Sequence, residues 1–147
     1  IACRIAVKSI TGPKNMTDNL TKSTRVLYNA QCPVCNFEIN HYARYSSDKA
    51  LPLGFDDLNS DALKNWDLTA DQAARRLYVL HNGALTSGIE GFLVLWAQMP
   101  RYRWLGRLVA CPGIKQIASA LYDYALAPII YRWHLRRQAR LARKEHP

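Results

Sequence analysis

Short apolar runs alternate along this chain with longer segments of helical periodicity, and that alternation predicts most of its elements. Residues 25–30, beginning Arg25-Val26-Leu27-Tyr28, read as a buried strand. The segment after it carries apolar bulk at Val34, Phe37, Tyr42 and Tyr45, with Phe37, His41 and Arg44 at three-to-four spacing. A helix is expected there, ending at Ser46-Ser47-Asp48. Leu51-Pro52-Leu53-Gly54-Phe55 predicts a second short strand, with its proline at the strand start or on an edge. Residues 57–75 are polar and helical in tone, and Thr69-Ala70-Asp71-Gln72 matches a capping box. Leu77-Tyr78-Val79-Leu80 predicts a third strand, and His81-Asn82-Gly83-Ala84 a hairpin turn into a fourth that ends near Ser87. After Gly88, residues Ile89, Phe92, Leu93 and Trp96 fall at i, i+3, i+4 and i+7 of an apolar helix that Pro100 stops. Residues 101–145 read as all-helical, punctuated by Pro112-Gly113 and Pro128.

Two strands joined through a helix pair in parallel, whereas a tight turn makes the last two antiparallel. The predicted class is therefore α/β, a thioredoxin-like sheet built from a parallel strand-helix-strand unit and an antiparallel hairpin. A helical C-terminal extension follows from about residue 101. Residues 1–20 are expected to be a disordered or vector-derived N-terminal extension, because Met16 before Thr17-Asp18-Asn19 looks like a natural start. Residues 21–145 would then form a single domain, a size that buries a real core.

The chemistry lies at the junction of the first strand and its helix, in Cys32-Pro33-Val34-Cys35. Cys32 should sit near the N-cap and Pro33 at the first helical position, where a missing N–H costs nothing. Two cysteines three apart at a helix start bring their Cα atoms within the ~4.4–6.8 Å that a disulfide tolerates. The helix N-terminus, with its free N–H groups and partial positive charge, favours a thiolate over a thiol. Cys32 is expected to be the attacking thiolate, the more exposed and more acidic of the pair. Cys35, one turn in and facing the sheet, would be the resolving thiol.

Of the four cysteines among 147 residues, Cys3 and Cys111 stand alone. A disulfide scaffold is excluded, and Cys111 reads as a small buried residue. Zinc wants four ligands, and His41, His81, His134 and His146 are scattered with no second C-x-x-C. No metal and no bound cofactor are expected. The longest apolar stretch, from Ile117 to Trp133, is broken by Asp123, Pro128 and Arg132, so no membrane span is predicted. With no secretory signal evident, a cytoplasmic location is expected, where a C-x-x-C is more often catalytic or metal-binding than structural.

The net charge of +9 is unevenly placed: residues 1–100 hold 10 Lys/Arg against 9 Asp/Glu, residues 101–147 hold 10 against 2. Arg132, Arg136, Arg140 and Arg143 recur at helical spacing as a stripe. A solvated face explains it most simply. Contact with an anionic surface (lipid headgroups, nucleic acid or an acidic partner) is the functional alternative. Trp96, Trp104, Tyr122 and Trp133 read as packing between the added helices and the sheet. Glu38 and His41 share the cysteine helix and are assigned no role.

Tyr28-Asn29-Ala30-Gln31-Cys32-Pro33-Val34-Cys35 resembles the signature of the DCC family of thiol–disulfide oxidoreductases. The resemblance continues through the Asn-Gly hairpin, the Gly88-Ile89-Glu90-Gly91-Phe92 helix start and the Tyr/Arg-rich helix near 122–137. It implies a thioredoxin-like fold and a dithiol activity. Two departures stand out. Asn29 occupies the position where that family carries Asp, and an amide cannot serve as a base. Thioredoxins also place a cis-proline before the third strand, where substrate backbone pairs, but here Ala74-Arg75-Arg76 precede it. Poor reduction of general protein disulfides is expected, and Arg75 or Arg76 near the thiols, if either points that way, would favour a thiolate or an anionic thiol substrate.

The function expected is thus a thiol–disulfide oxidoreductase acting through Cys32 and Cys35. Its partners would be a disulfide or thiol substrate and an external thiol reductant. The alternative is a non-catalytic thioredoxin-like binding module whose basic C-terminal helix docks on an acidic partner, a membrane surface or nucleic acid.

Overall fold

The computed structural model describes residues 24–145 and is centred on strand β1 (Thr24–Tyr28). Val26 and Leu27 point to opposite faces of β1 and are both fully buried, so this strand lies between two layers. It is followed by α1 (Pro33–Asp48), β2 (Leu53–Asp57), α2 (Ala70–Arg75), β3 (Tyr78–His81), β4 (Ala84–Ser87) and α3 (Gly88–Gln98). The chain then continues through α4 (Arg103–Val109), α5 (Pro112–Leu121) and α6 (Ala127–Glu145). Single 3-10 turns precede α2 and α4. The strand order is β2-β1-β3-β4, with β1 parallel to β2 and antiparallel to β3, and β3 antiparallel to β4. This is the thioredoxin-like arrangement with added C-terminal helices. The reading of residues 1–20 as an extension, and Cys3 with it, lies outside the described residues.

On the Val26 face, Ile39 and Tyr42 of α1 and Leu95 of α3 pack with Val79, Leu77 and Met99. On the Leu27 face, Leu58, Trp66 and the Ala73-Ala74 pair of α2 form a second cluster, with Tyr131 of α6 against it. The buried indole of Trp66 donates to Asp56 Oδ2 at 2.9 Å, while Asp56 Oδ1 accepts from Arg25 Nη2 at 2.6 Å. A carboxylate carried into the sheet edge therefore keeps charged and polar partners, as burial requires.

Local chemistry sets the element ends. The capping box at α2 forms both its bonds, Gln72 N–H to Thr69 Oγ1 and Thr69 N–H to Gln72 Oε1. At the hairpin, Asn82 (φ 49°) and Gly83 (φ 77°) take the two left-handed positions that a two-residue turn needs.

Three expectations require correction. Phe37, counted among the apolar bulk of α1, does not face the core: α1 buries Ile39, Tyr42 and Ser46, and Phe37 is 80% exposed. Pro128 does not interrupt the C-terminal helices. Residues 112–145 run as one helical stretch in which Tyr122–Leu126 form a π turn, with Ala127 N–H bonded to Tyr122 O. Widening the turn just before Pro128 absorbs its missing N–H and the crowding of its ring. Finally, Trp96 and Tyr122 pack as expected, but Trp104 is 66% exposed and Trp133 is 49% exposed.

Tyr122 fastens the added helices to the sheet. Its hydroxyl accepts the Leu77 N–H at 2.9 Å, just before β3, and its ring meets Phe92 edge-on at 6.0 Å. A Cβ on Gly88 (φ +62°) would touch the same ring at 3.4 Å. Tyr122→Phe should leave the buried Leu77 N–H unpaired and cost about 1–3 kcal/mol. Urea unfolding should show a lower midpoint, and an unchanged midpoint would remove this bond from the supports of the fold.

Candidate active site

The parallel pair β1/β2 delivers the site. Where β1 ends, the chain must turn back into α1, and the polar side chains of that turn are satisfied within it. Asp57 Oδ1, at the end of β2, accepts from Ala30 N (3.1 Å), Asn59 N (3.1 Å) and Asn59 Nδ2 (2.8 Å). Asn29, buried beside it, accepts at Oδ1 from Gln31 N (3.0 Å) and Asn59 Nδ2 (3.1 Å). Two N–H donors on Oδ1 fix the amide's orientation, so its Nδ2 must donate to His134 Nδ1, 3.0 Å away. His134 Nδ1 is therefore the acceptor, and the proton of the neutral ring sits on Nε2. At position 29 the amide bridges the turn after β1, Asn59 beyond the end of β2, and α6, a role that a carboxylate, lacking a donor, would fill differently.

Cys32 is the N-cap residue of α1 and Pro33 its first helical residue, as the sequence predicts. Both cysteines are free thiols. Cys32 Sγ accepts the Cys35 N–H at 3.4 Å, and Cys32 O accepts Asn36 N–H at 2.8 Å. The Cys32 thiol is held down to about 6, first by the hydrogen bond from the Cys35 thiol, then by the backbone N–H groups of Cys35 and Val34, all against the opposing effect of burial. Cys35 moves the other way. Donation to Cys32 raises it most, followed by burial, the Cys32 charge and the Glu38 carboxylate. Glu38 is itself held by Tyr42, whose hydroxyl donates to it at 2.7 Å. One thiol is thus set to be a thiolate and the other to remain protonated.

The expected order of exposure is overturned. Cys32 is the buried thiol, 3% exposed, and Cys35 is only half-buried. The reason is α6, which lies across the start of α1: Arg137 Nη1 donates to Gln31 O at 3.0 Å, and His134 bonds Asn29. The two thiols open onto different spaces. Cys35 borders a narrow apolar cavity of about 50 Å³ whose lining includes Ala73, Leu77, Phe92, Tyr122 and Ile130. Cys32 borders a wider one of about 370 Å³, between residues 31–33 and the α6 side chains Trp133, His134, Arg136, Arg137 and Arg140.

Arg75 and Arg76 also border the Cys35 cavity, but their guanidinium groups are engaged elsewhere. Arg75 pairs with Asp71 at 2.9 Å and lies over the Tyr131 ring, whose hydroxyl also donates to Asp71. Arg76 is 3.7 Å from Asp123. The arginine stripe divides: Arg136 and Arg140 line the Cys32 cavity, whereas Arg132 and Arg143 do not. His41 bonds the Tyr102 hydroxyl at 2.7 Å, and Cys111 donates weakly to Arg107 O; neither borders the two cavities. His134 and Arg137 are the residues that sequence reasoning missed. Their signal was weak, a Trp133/Arg136/Arg137/Arg140 face at helical spacing, with nothing local to connect it to Cys32.

Among the described residues, no three His, Cys, Asp or Glu side chains converge as a metal centre would need. No helix of the described residues is long and apolar enough to cross a membrane.

No curated protein and no solved structure matches the chain. A family model, that of the DCC1-like thiol-disulfide oxidoreductases, matches residues 26–143 and so takes in all of the sheet but the first two residues of β1, the dithiol turn and most of α6. The chain belongs to the DCC1-like thiol-disulfide oxidoreductase family.

Proposed function

We propose that the protein exchanges thiols and disulfides through Cys32 and Cys35, with Cys32 attacking and Cys35 resolving. The Cys32 thiolate attacks one sulfur of a substrate disulfide, forming a mixed disulfide and releasing the other half as a thiolate. Cys35 then gives up its proton to the departing sulfur and attacks Cys32 Sγ. This closes the Cys32–Cys35 bridge and releases the second half. The substrate gains two electrons and the dithiol loses two, and an external thiol reductant restores the starting state. The observation that carries this reading is the placement of the pair, with Cys32 at the N-cap of α1 and its Sγ accepting the Cys35 N–H at 3.4 Å; the opposed directions of the two thiols, Cys32 lowered and Cys35 raised, agree with it. Residues 21–145 are taken as one working unit, because α6 contributes both His134 and the wall beside Cys32.

Alkylation checks the poise of the nucleophile. A thiol with its midpoint at about 6 is protonated and slow below that pH and a thiolate above it, so the iodoacetamide rate at Cys32 should rise through that region and then level off. Cys35→Ala removes the strongest cause of the depression and should move the midpoint upward. A midpoint that stays where it was would transfer the credit to the helix start alone.

Turnover checks the roles. With hydroxyethyl disulfide as substrate, Cys32→Ser should lower the rate by at least about a thousandfold, as loss of a nucleophile does. Cys35→Ser should stop after one event, with the adduct on Cys32 by mass. An adduct on Cys35, or steady turnover without Cys32, would reverse the assignment.

A further inference from the structure

We infer that the cavity beside Cys32 is a binding site for small disulfides and thiols that carry carboxylates, held by Arg136 and Arg140 of α6. The inference rests on the dithiol reading above and names its substrate class. Three observations converge on it. First, the cavity of about 370 Å³ has the size of a small-molecule site, on the order of 300–1,000 Å³, and the nucleophilic sulfur lies in its wall. Second, its charge is of one sign. Arg136, Arg137 and Arg140 line it, and among the described residues no carboxylate lies within ion-pairing distance of any of them. Other basic groups also lack an acidic partner among the described residues, Arg44, Arg101 and Arg107 among them, but only Arg136, Arg137 and Arg140 are set around the cavity that Cys32 borders. Guanidinium groups left open around a cavity suit carboxylates, which they grip in bidentate fashion.

The third observation favours a small molecule over a protein segment. Cys32 is covered by α6, so a folded partner has no flat approach to its sulfur. The backbone just before β3, where thioredoxins pair with substrate chain, is already taken up internally. Leu77 N–H donates to the Tyr122 hydroxyl at 2.9 Å, and Leu77 O accepts Gly88 N–H at 3.0 Å. An extended peptide would find neither group free. A compact disulfide could instead enter beside Trp133, set its carboxylates on Arg136 and Arg140, and present a sulfur to Cys32. The step itself is the balanced exchange already written, with a carboxylate-bearing thiol as each leaving group.

Three small disulfides of matched length test the site on the fully reduced full chain: dithiodipropionate (anionic), hydroxyethyl disulfide (neutral) and cystamine (cationic). The readout is the second-order rate of Cys32 oxidation, taken as the ratio of anionic to neutral, which cancels any change in the thiolate itself. At low salt the ratio should be about tenfold or more, the lower end of what a focused charge field provides, with cystamine slowest. It should fall as added salt screens the arginines. Arg136→Gln/Arg140→Gln should bring the ratio close to unity. Arg132→Gln/Arg143→Gln removes the same charge from the same helix outside the cavity and should keep the ratio. Arg137 is left intact because it ties α6 to Gln31 O. Equal rates for the three disulfides, a ratio that survives Arg136→Gln/Arg140→Gln, or an equal loss in both double variants would overturn the site. In each of those cases, hydroxyethyl disulfide would still be reduced and the dithiol reading would stand. Reaction with none of the three would bring down both.

Discussion

The hydrogen bond between Asn29 and His134 spans 105 residues of sequence and joins the end of the first strand to the last helix. The functional site depends on it. It fixes α6 over the turn that leads into α1, with Arg137 bonding Gln31 O alongside. From this docking come the burial of Cys32, the wall of the cavity beside it and the placement of three arginines around that cavity. An amide suits the position because it donates toward the imidazole while accepting from Gln31 and Asn59. Each polar group in the buried turn thus finds a partner, as a low-dielectric site demands.

Beneath that cover, the two thiols are made unequal by short-range effects. The lowering of Cys32 comes from the Cys35 thiol and from backbone N–H groups at the start of α1, against burial. No arginine is needed for it. The α6 guanidinium groups border the space beside Cys32, which is the place the proposed substrate site gives them. Cys35 faces an apolar cavity with Glu38 nearby, which favours its neutral form while Cys32 carries charge. In the proposed mixed disulfide that charge would be gone, and two of the influences holding the Cys35 proton in place would go with it.

Much of the fold was legible in the sequence because its signals are local. The Cys32-Pro33 helix start, the Thr69/Gln72 capping box and the Asn82-Gly83 turn each act within a few residues, and each stands where the pattern put it. The cysteine pair was legible for the same reason. What sequence alone did not yield was set by tertiary contact. Cys32 reads as the exposed thiol until α6 is laid across it. Phe37 reads as core until α1 turns Ile39 and Tyr42 inward. The arginine stripe follows ideal helical spacing, but docking picks out Arg136, Arg137 and Arg140 and leaves Arg132 and Arg143 outside. Pro128 reads as a break because the pattern carries no sign of the π turn that accommodates it.

The most direct measurement is equilibration of the folded protein with glutathione redox buffers across a range of potentials, quenched and read by mass, with near-ultraviolet circular dichroism on the same samples. A working dithiol requires one reversible two-electron transition, a loss of two hydrogens mapped to the peptide holding Cys32 and Cys35, and tertiary packing retained in both states. Absence of an intramolecular bridge at every potential, or a bridge that forms only when the fold is lost, would contradict the assignment of Cys32 and Cys35 as a catalytic pair.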